Sequence, residues 1–225
     1  LPGKDMLAEV NNNEAGNIYN SLFAKNRKVE YDNKDIALVN IRTNPDNQIF
    51  RAMDDDEDIR ILAEDIKRNG LMHNLVVFPE QEEGSAVYVL LSGERRFRAL
   101  NYLQEKGDAT WNIVNCNVVT TPLTENEKKV LLYSANLQVR GGFSDEAIRR
   151  QAIAEFITCL QREPYNMSRE EALNATKIVS TVNPRTIERD ARIEEKLKGK
   201  LKTLLNDKFL TRSECETYLR FEADK

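Results

Sequence analysis

Arg95, Arg96 and Arg98 crowd behind a single glycine in the segment Leu91-Ser92-Gly93-Glu94-Arg95-Arg96-Phe97-Arg98-Ala99. The apolar residues before Gly93 read as a strand and those after it as a helix, so the glycine marks the turn between them. A helix N-terminus carries partial positive charge and presents amides, which suits anionic oxygens and repels basic side chains. Arginines gathered there cost stability unless an anion offsets them. Guanidinium groups grip phosphate with a fork of donors, and glycine permits close backbone approach. The chemistry suggested is binding of a phosphate-bearing ligand. A solvated basic turn paired with acids such as Glu94 fits the charges equally well.

A second constellation lies in the stretch 167–197, which reads as two helices joined by a tight turn. Ser168 caps the first, and Asn183 caps the second with Pro184 at its first helical position. At 100° per residue from Ile187, Ala191 falls near 40°, while Arg185, Arg189, Arg192 and Lys196 fall between about 140° and 200°. An apolar face opposite a basic stripe is what a DNA-reading helix needs. Arg185, Thr186, Arg189, Arg192 and Lys196 are therefore the candidate DNA contacts. The plainer alternative is a surface helix braced by Glu188 and Arg192 as an i,i+4 pair.

Other chemistries find little support. The one histidine, His73, follows a helix end, where histidine is common for dipole reasons. No Ser/His/Asp or Cys/His arrangement can be assembled around it. Cys116, Cys159 and Cys215 are widely spaced and odd in number, so neither a disulfide framework nor a zinc site is expected; reduced core cysteines of a cytoplasmic protein are. The acidic run Asp54 to Asp58 reads as a solvated loop whose last member caps a helix, without converging metal ligands.

The composition sets bounds on these ideas. With 40% apolar residues in 225, the chain can bury the cores of one large or two ordinary domains. No apolar run approaches a membrane span or a signal peptide, and the absence of a leading Met suggests a trimmed N-terminus. The formal net charge of −4 speaks against nucleic acid, but it is unevenly distributed. Residues 1–125 hold 14 basic and 21 acidic side chains, and residues 126–225 hold 19 and 16. Any DNA should therefore meet the second half.

The elements that would position these groups follow from periodicity. Residues 1–34 are polar and rich in Asn, and read as a loosely attached arm. A helix after Asp58 carries Ile59, Leu62, Ala63 and Ile66 and ends at Gly70. Leu75 to Phe78, Val87 to Leu91 and Ile113 to Val119 read as strands, and the helix opened by Gly93 closes at Gly107. These make an α+β domain over 35–122. A helical region over 123–197 follows, with capping boxes at Thr124/Glu127 and Ser168/Glu171, and an inward stripe of Ala147, Ile148, Ala152, Phe156 and Leu160. Gly141-Gly142 is the expected hinge. Residues 198–225 form a helical extension with a further capping box at Thr211/Glu214.

Gly93 to Ala99, GERRFRA, resembles the GERRxRA signature of the ParB family. Other pieces fall in the same order. Asn44-Pro45 and Gln48 to Arg51 resemble, with insertions, its NPxQPR element, Gly70 to Leu75 its GLxQPL stretch, and Asn136-Leu137-Gln138-Val139-Arg140 its ENLQR motif. The resemblance covers roughly 36–195. It implies an α+β ParB/sulfiredoxin-like N-terminal domain followed by an all-α helix-turn-helix domain. It also implies CTP with Mg²⁺ as ligands: Gly70, Leu71 and His73 toward base and ribose, Ser92, Gly93, Glu94, Arg95 and Arg96 on the phosphates, and Asn136 helping to hold the metal. Double-stranded DNA, a homodimer and a partition ATPase are the implied partners, in the segregation of a chromosome or plasmid or the upkeep of a mobile element.

The sequence also departs from that pattern. Asn74 replaces a proline, His73 a glutamine, and Val139 is inserted. Ala135 stands where the family has the glutamate associated with hydrolysis, so at most a weak CTPase is expected. No cysteine sits beside Gly93, which argues against sulfiredoxin-type redox repair. No dimerisation module is evident after 197, so the chain is a fragment or dimerises otherwise. Two rival expectations remain: a transcriptional regulator that has kept the fold and lost the nucleotide, and a nuclease or nucleotide-dependent kinase on the same scaffold.

Overall fold

The computed structural model describes residues 29–51, 56–82, 85–139 and 145–223. The chain forms two compact units divided between Ala135 and Asn136. The expected arm up to residue 28 and the Gly141-Gly142 hinge lie outside the described residues.

The first unit is built on a five-stranded mixed sheet. Its strands are β1 (Tyr31–Ala37), β2 (Ile41–Arg42), β3 (Leu75–Glu82), β4 (Ser85–Ser92) and β5 (Ile113–Val119), in the order β1-β5-β3-β4-β2. β1 runs antiparallel to β5 from Tyr31↔Val119 to Ala37↔Ile113. β3 runs parallel to β5 over Leu75 to Val77 and antiparallel to β4, and β2 runs parallel to β4. Pro79 lies past the stretch where β3 pairs with β5, so its missing N–H interrupts no ladder on that side.

Two strands escape sequence reading. β2 is too short to show a period, and β1 is an edge strand whose Asp32, Asn33, Lys34 and Asp35 face solvent. Charged edges of this kind discourage strand addition from other chains, and they erase the apolar alternation that marks a strand. Residues 31–34 therefore belong to the sheet and not to the arm. Val29 is buried, and Glu30 exchanges hydrogen bonds with Thr120 and Thr121.

Helices α1 (Gln48–Arg51), α2 (Asp56–Asn69), α3 (Glu94–Glu105) and the first part of α4 (Glu125–Val139) complete this unit. Ile59, Ala63 and Ile66 of α2 and Phe97, Leu100 and Leu103 of α3 join Ile36, Leu75, Val77, Val114, Cys116 and Val118 in one core. α2 starts at Asp56, three residues earlier than expected, so Asp58 stands in its first turn beside Asp56 and Glu57 instead of capping it. Acids at this end and Lys67 and Arg68 in the last turn both complement the helix dipole. Gly70 closes α2 at φ +79°, its N–H bonded to the Ile66 carbonyl at 2.8 Å. Phe50 of α1 is fully buried and meets Tyr133 of α4 edge-on at 5.7 Å.

The second unit is helical. Its helices are α5 (Glu146–Gln161), α6 (Arg169–Val179), α7 (Pro184–Lys196), α8 (Gly199–Asn206) and α9 (Arg212–Ala223). The capping boxes at Ser168/Glu171 and Thr211/Glu214 are formed, as is the one at Thr124/Glu127 on α4. Ala152, Phe156 and Leu160 of α5 are buried as the stripe predicts, with Ala172, Ala175 and Val179 of α6 and Ile187 and Ala191 of α7. Ala147 and Ile148 are only half-buried. Ile193, Leu197, Leu205 and Cys215 share a further core, so the C-terminal extension of α8 and α9 packs on the end of α7.

Candidate functional site

In the first unit, β4 delivers Ser92 and Gly93 to the head of α3. Gly93 takes the helix N-cap position with φ +104° and ψ 22°, a conformation open to glycine at little cost. No side chain caps the helix there. A Cβ on Gly93 would lie 2.7 Å from Leu75 Cδ2 and 3.3 Å from the Arg96 guanidinium. The backbone is thus held close to β3, with a glycine required by space as well as by φ.

The three arginines diverge. Arg95 is exposed. Arg96 turns back, and its Nη1 donates to the carbonyl of His73 at 2.5 Å and to that of Asn74 at 3.0 Å. Arg98 pairs with Asp56 at 3.0 Å, across to the start of α2. Glu94 is buried in the first turn. Two of the three arginines thus have contacts within the protein. Arg96 fastens the loop after α2, and Arg98 joins two helix N-termini.

That loop carries the other candidates. Gly70 has open space around its α-carbon, Leu71 packs on the core, and His73 is exposed, as is Met72. Asn74 occupies the position where the resemblance leads one to expect proline. Its amide donates to Asn115 at 2.8 Å and Asn117 at 3.4 Å, and Asn115 in turn donates to Asp35 at 2.9 Å. Side-chain hydrogen bonds to β5 and β1 thus hold a loop end that proline would have stiffened. Sequence reading missed this chain, because its members lie on three strands or their ends and share no local pattern.

Asn136 lies in the second unit, half-buried on α4, and Ala135 before it is buried. Among the described residues no group of three or more His, Cys, Asp or Glu side chains is arranged to hold a metal ion. The head of α3 combines a left-handed Gly93 with a helix N-terminus that no side chain caps, a geometry that can accept an anionic oxygen.

In the second unit, Asn183 caps α7 by accepting from the Arg185 N–H at 3.0 Å, with Pro184 following. Arg185, Arg192 and Lys196 are exposed on one side, and Thr186 and Arg189 are half-buried. The stripe is real, and acids border it. Glu188 pairs with Lys177 of α6 at 2.6 Å, not with Arg192 as the i,i+4 reading had it. The Lys177 hydrogen bond holds the Glu188 carboxyl below the usual glutamate range. Arg189 and Arg192 both reach Glu216 of α9, at 3.1 and 3.9 Å.

Beneath the stripe lies an ion cluster that sequence reading passed over. Asp190 is 0% exposed; it accepts from Arg149 of α5 at 2.7 Å and lies 3.7 Å from Arg212 of α9. Burial pushes its carboxyl up, against the downward pull of Arg149, Arg212 and Arg150. Arg150, 1% exposed, donates to Asn206 of α8 at 2.6 Å and lies 4.0 Å from Glu194. One signal was available. Arg150 is three residues from both Ala147 and Ile153, and Asp190 three from Ile187, so both fall on inward faces. The three cysteines are buried and free, and burial pushes the Cys116 thiol up to about 12.

Among the described residues no helix is long and apolar enough to cross a membrane. The family model for the ParB N-terminal domain matches residues 22–127. Among solved structures, the pNOB8-like ParB N-domain is similar, with a TM-score of 0.53 and 12% identity over 84% of this chain and 74% of that one. A second crystal form of the Pnob8-like ParB-N domain matches with a TM-score of 0.50 and 13% identity, over 84% of this chain and 79% of that one. At such identity these two likenesses concern the fold alone. No curated protein sequence matches the chain.

Proposed function

We propose that this chain, which carries a ParB N-terminal domain over residues 22–127, is a ParB-like DNA-binding protein that responds to a nucleotide and acts in partition or maintenance of a replicon. The observation that carries the nucleotide half is the head of α3. There a left-handed Gly93 without room for a Cβ opens an uncapped helix next to an exposed Arg95. The phosphates of CTP are the ligand assigned to Ser92, Gly93, Glu94 and Arg95, and the Gly70 to His73 loop is assigned to base and ribose. Arg96 serves that pocket by tying the loop through the His73 and Asn74 carbonyls. The DNA half rests on the exposed basic side of α7, in the unit with the positive charge balance.

Calorimetry with CTP, ATP and GTP tests the first half. Selective CTP binding that is lost in Arg95→Ala, with the thermal melt unchanged, supports it. Because Arg95 is exposed, that variant reports on binding and not on folding. For the second half, log K for duplex DNA should fall linearly with log salt, and Arg189→Ala should weaken binding. An affinity indifferent to salt or to Arg189 counts against the assignment.

One observation favours a second reading, a ParB-fold regulator without a nucleotide. Arg96 and Arg98 are already engaged by the protein's own carbonyls and by Asp56, so a polyphosphate would have to compete for both. DNA binding that persists without any nucleotide binding selects this alternative.

A further inference from the structure

We propose that Glu216 of α9 is a built-in competitor for DNA phosphate, and that it sets the affinity of α7. This inference rests on the reading of α7 as the DNA-contacting helix. One oxygen, Glu216 Oε1, lies 3.1 Å from Arg189 Nε and 3.9 Å from an Arg192 terminal nitrogen. A single anionic oxygen shared by two guanidinium groups is the arrangement a DNA phosphate would adopt on the same pair. The Glu216 side chain is 14% exposed, whereas those of Arg189 and Arg192 are 43% and 49% exposed. The acid is sheltered and the arginines remain within reach of solvent.

The position of Glu216 is enforced and not incidental. α9 is tied down by Arg212, which reaches Glu146 at 2.7 Å and Asp190 at 3.7 Å. Its Cys215 is buried in the core shared with Ile193, Leu197 and Leu205. The other acids flanking the stripe are committed elsewhere: Glu188 to Lys177 and Glu195 to Arg169. Glu216 therefore neutralises the middle of the basic stripe, between Arg185 and Lys196. DNA must displace it before Arg189 and Arg192 can serve phosphate, and that exchange lowers the net gain of binding.

Fluorescence anisotropy of the full chain with a labelled mixed-sequence duplex tests this across a salt series. Glu216→Gln is expected to bind about two- to fivefold more tightly, the range an ion pair of this exposure can supply. Its log K against log salt should steepen by about one to two, as two cations become available to phosphate. Glu216→Asp, which keeps the charge and shortens its reach, should give a smaller gain in the same direction and serves if Glu216→Gln folds poorly. Glu195→Gln removes the same charge away from the pair and should change affinity less. The gain should vanish when Arg189 and Arg192 are both alanine.

An unchanged or weakened Glu216→Gln, an equal gain in Glu195→Gln, or a gain that survives loss of both arginines overturns the competitor role. If the wild type binds duplex in an Arg189-dependent way while Glu216→Gln changes nothing, only this inference falls. If neither protein binds duplex at any salt, the reading of α7 falls and takes this one with it.

Discussion

Replacing Gly93 with alanine would place a methyl group where the structure has none to spare. The cost has two parts. Holding a residue with a Cβ at φ +104° costs about 1–2 kcal/mol, because the left-handed region brings that carbon against the backbone. The new carbon also meets Leu75 Cδ2 at 2.7 Å, and Leu75 is 0% exposed, with core neighbours that prevent it from swinging away. Overpacking at such a site costs about 1–3 kcal/mol. The sum is about 2–5 kcal/mol. Gly70→Ala is the natural control, since it has φ +79° and nothing within 4 Å of its would-be Cβ. It should show the first part alone. Trp111, the single tryptophan, packs against the core of the first unit, so its fluorescence during urea unfolding reports this unit. A double-mutant cycle sharpens the test. In a Leu75→Ala background the extra penalty of Gly93→Ala should shrink by about 1–3 kcal/mol. The reasoning fails if Gly93→Ala costs no more than Gly70→Ala, or if its cost is undiminished once Leu75 is shortened.

Three other outcomes are expected. Arg96→Ala should lower the unfolding free energy read by Trp111 by about 1 kcal/mol, because the His73 and Asn74 carbonyls lose their donor, whereas exposed Arg95→Ala should stay within about 0.5 kcal/mol. Asp190→Ala takes the buried acid from Arg149 and Arg212 and should destabilise the helical unit by about 3–5 kcal/mol in a circular-dichroism melt. A loss under about 1 kcal/mol would show that the cluster is not held by charge. Glu188 has a depressed folded value, so the stability it lends is present above the ordinary glutamate range and fades as pH falls through that lower value. Carboxyl chemical shifts followed against pH should show this depression, and Lys177→Met should reduce it, with Arg192 and Arg185 still pulling the carboxyl down.

Much of this molecule is written in local sequence. Helix α2 shows its apolar period and its Gly70 stop, α7 its Asn183-Pro184 start, and three capping boxes pair a hydroxyl with a carboxylate three residues on. Gly93 announces itself too, since a strand running directly into a helix needs a residue that tolerates positive φ. Each of these signals lies within a few residues, the range over which backbone sterics and helix geometry act. The same holds for the basic stripe of α7, because helical spacing alone places Arg185, Arg189, Arg192 and Lys196 on one side.

Charge partners are a different matter, because they depend on which elements meet. The sequence determined that arginines stand at the head of α3 and along α7; only the tertiary structure decided that Arg96 turns to the His73 carbonyl, Arg98 to Asp56, and Arg189 to Glu216. Strand β1 is the same lesson for the backbone: its polar residues carry no strand period, and pairing with β5, some 80 residues away, makes it a strand. Local physics sets the conformation a residue prefers. Contacts across long loops set what its side chain binds, since a Coulomb or hydrogen-bond partner is chosen by distance in space and not by distance along the chain.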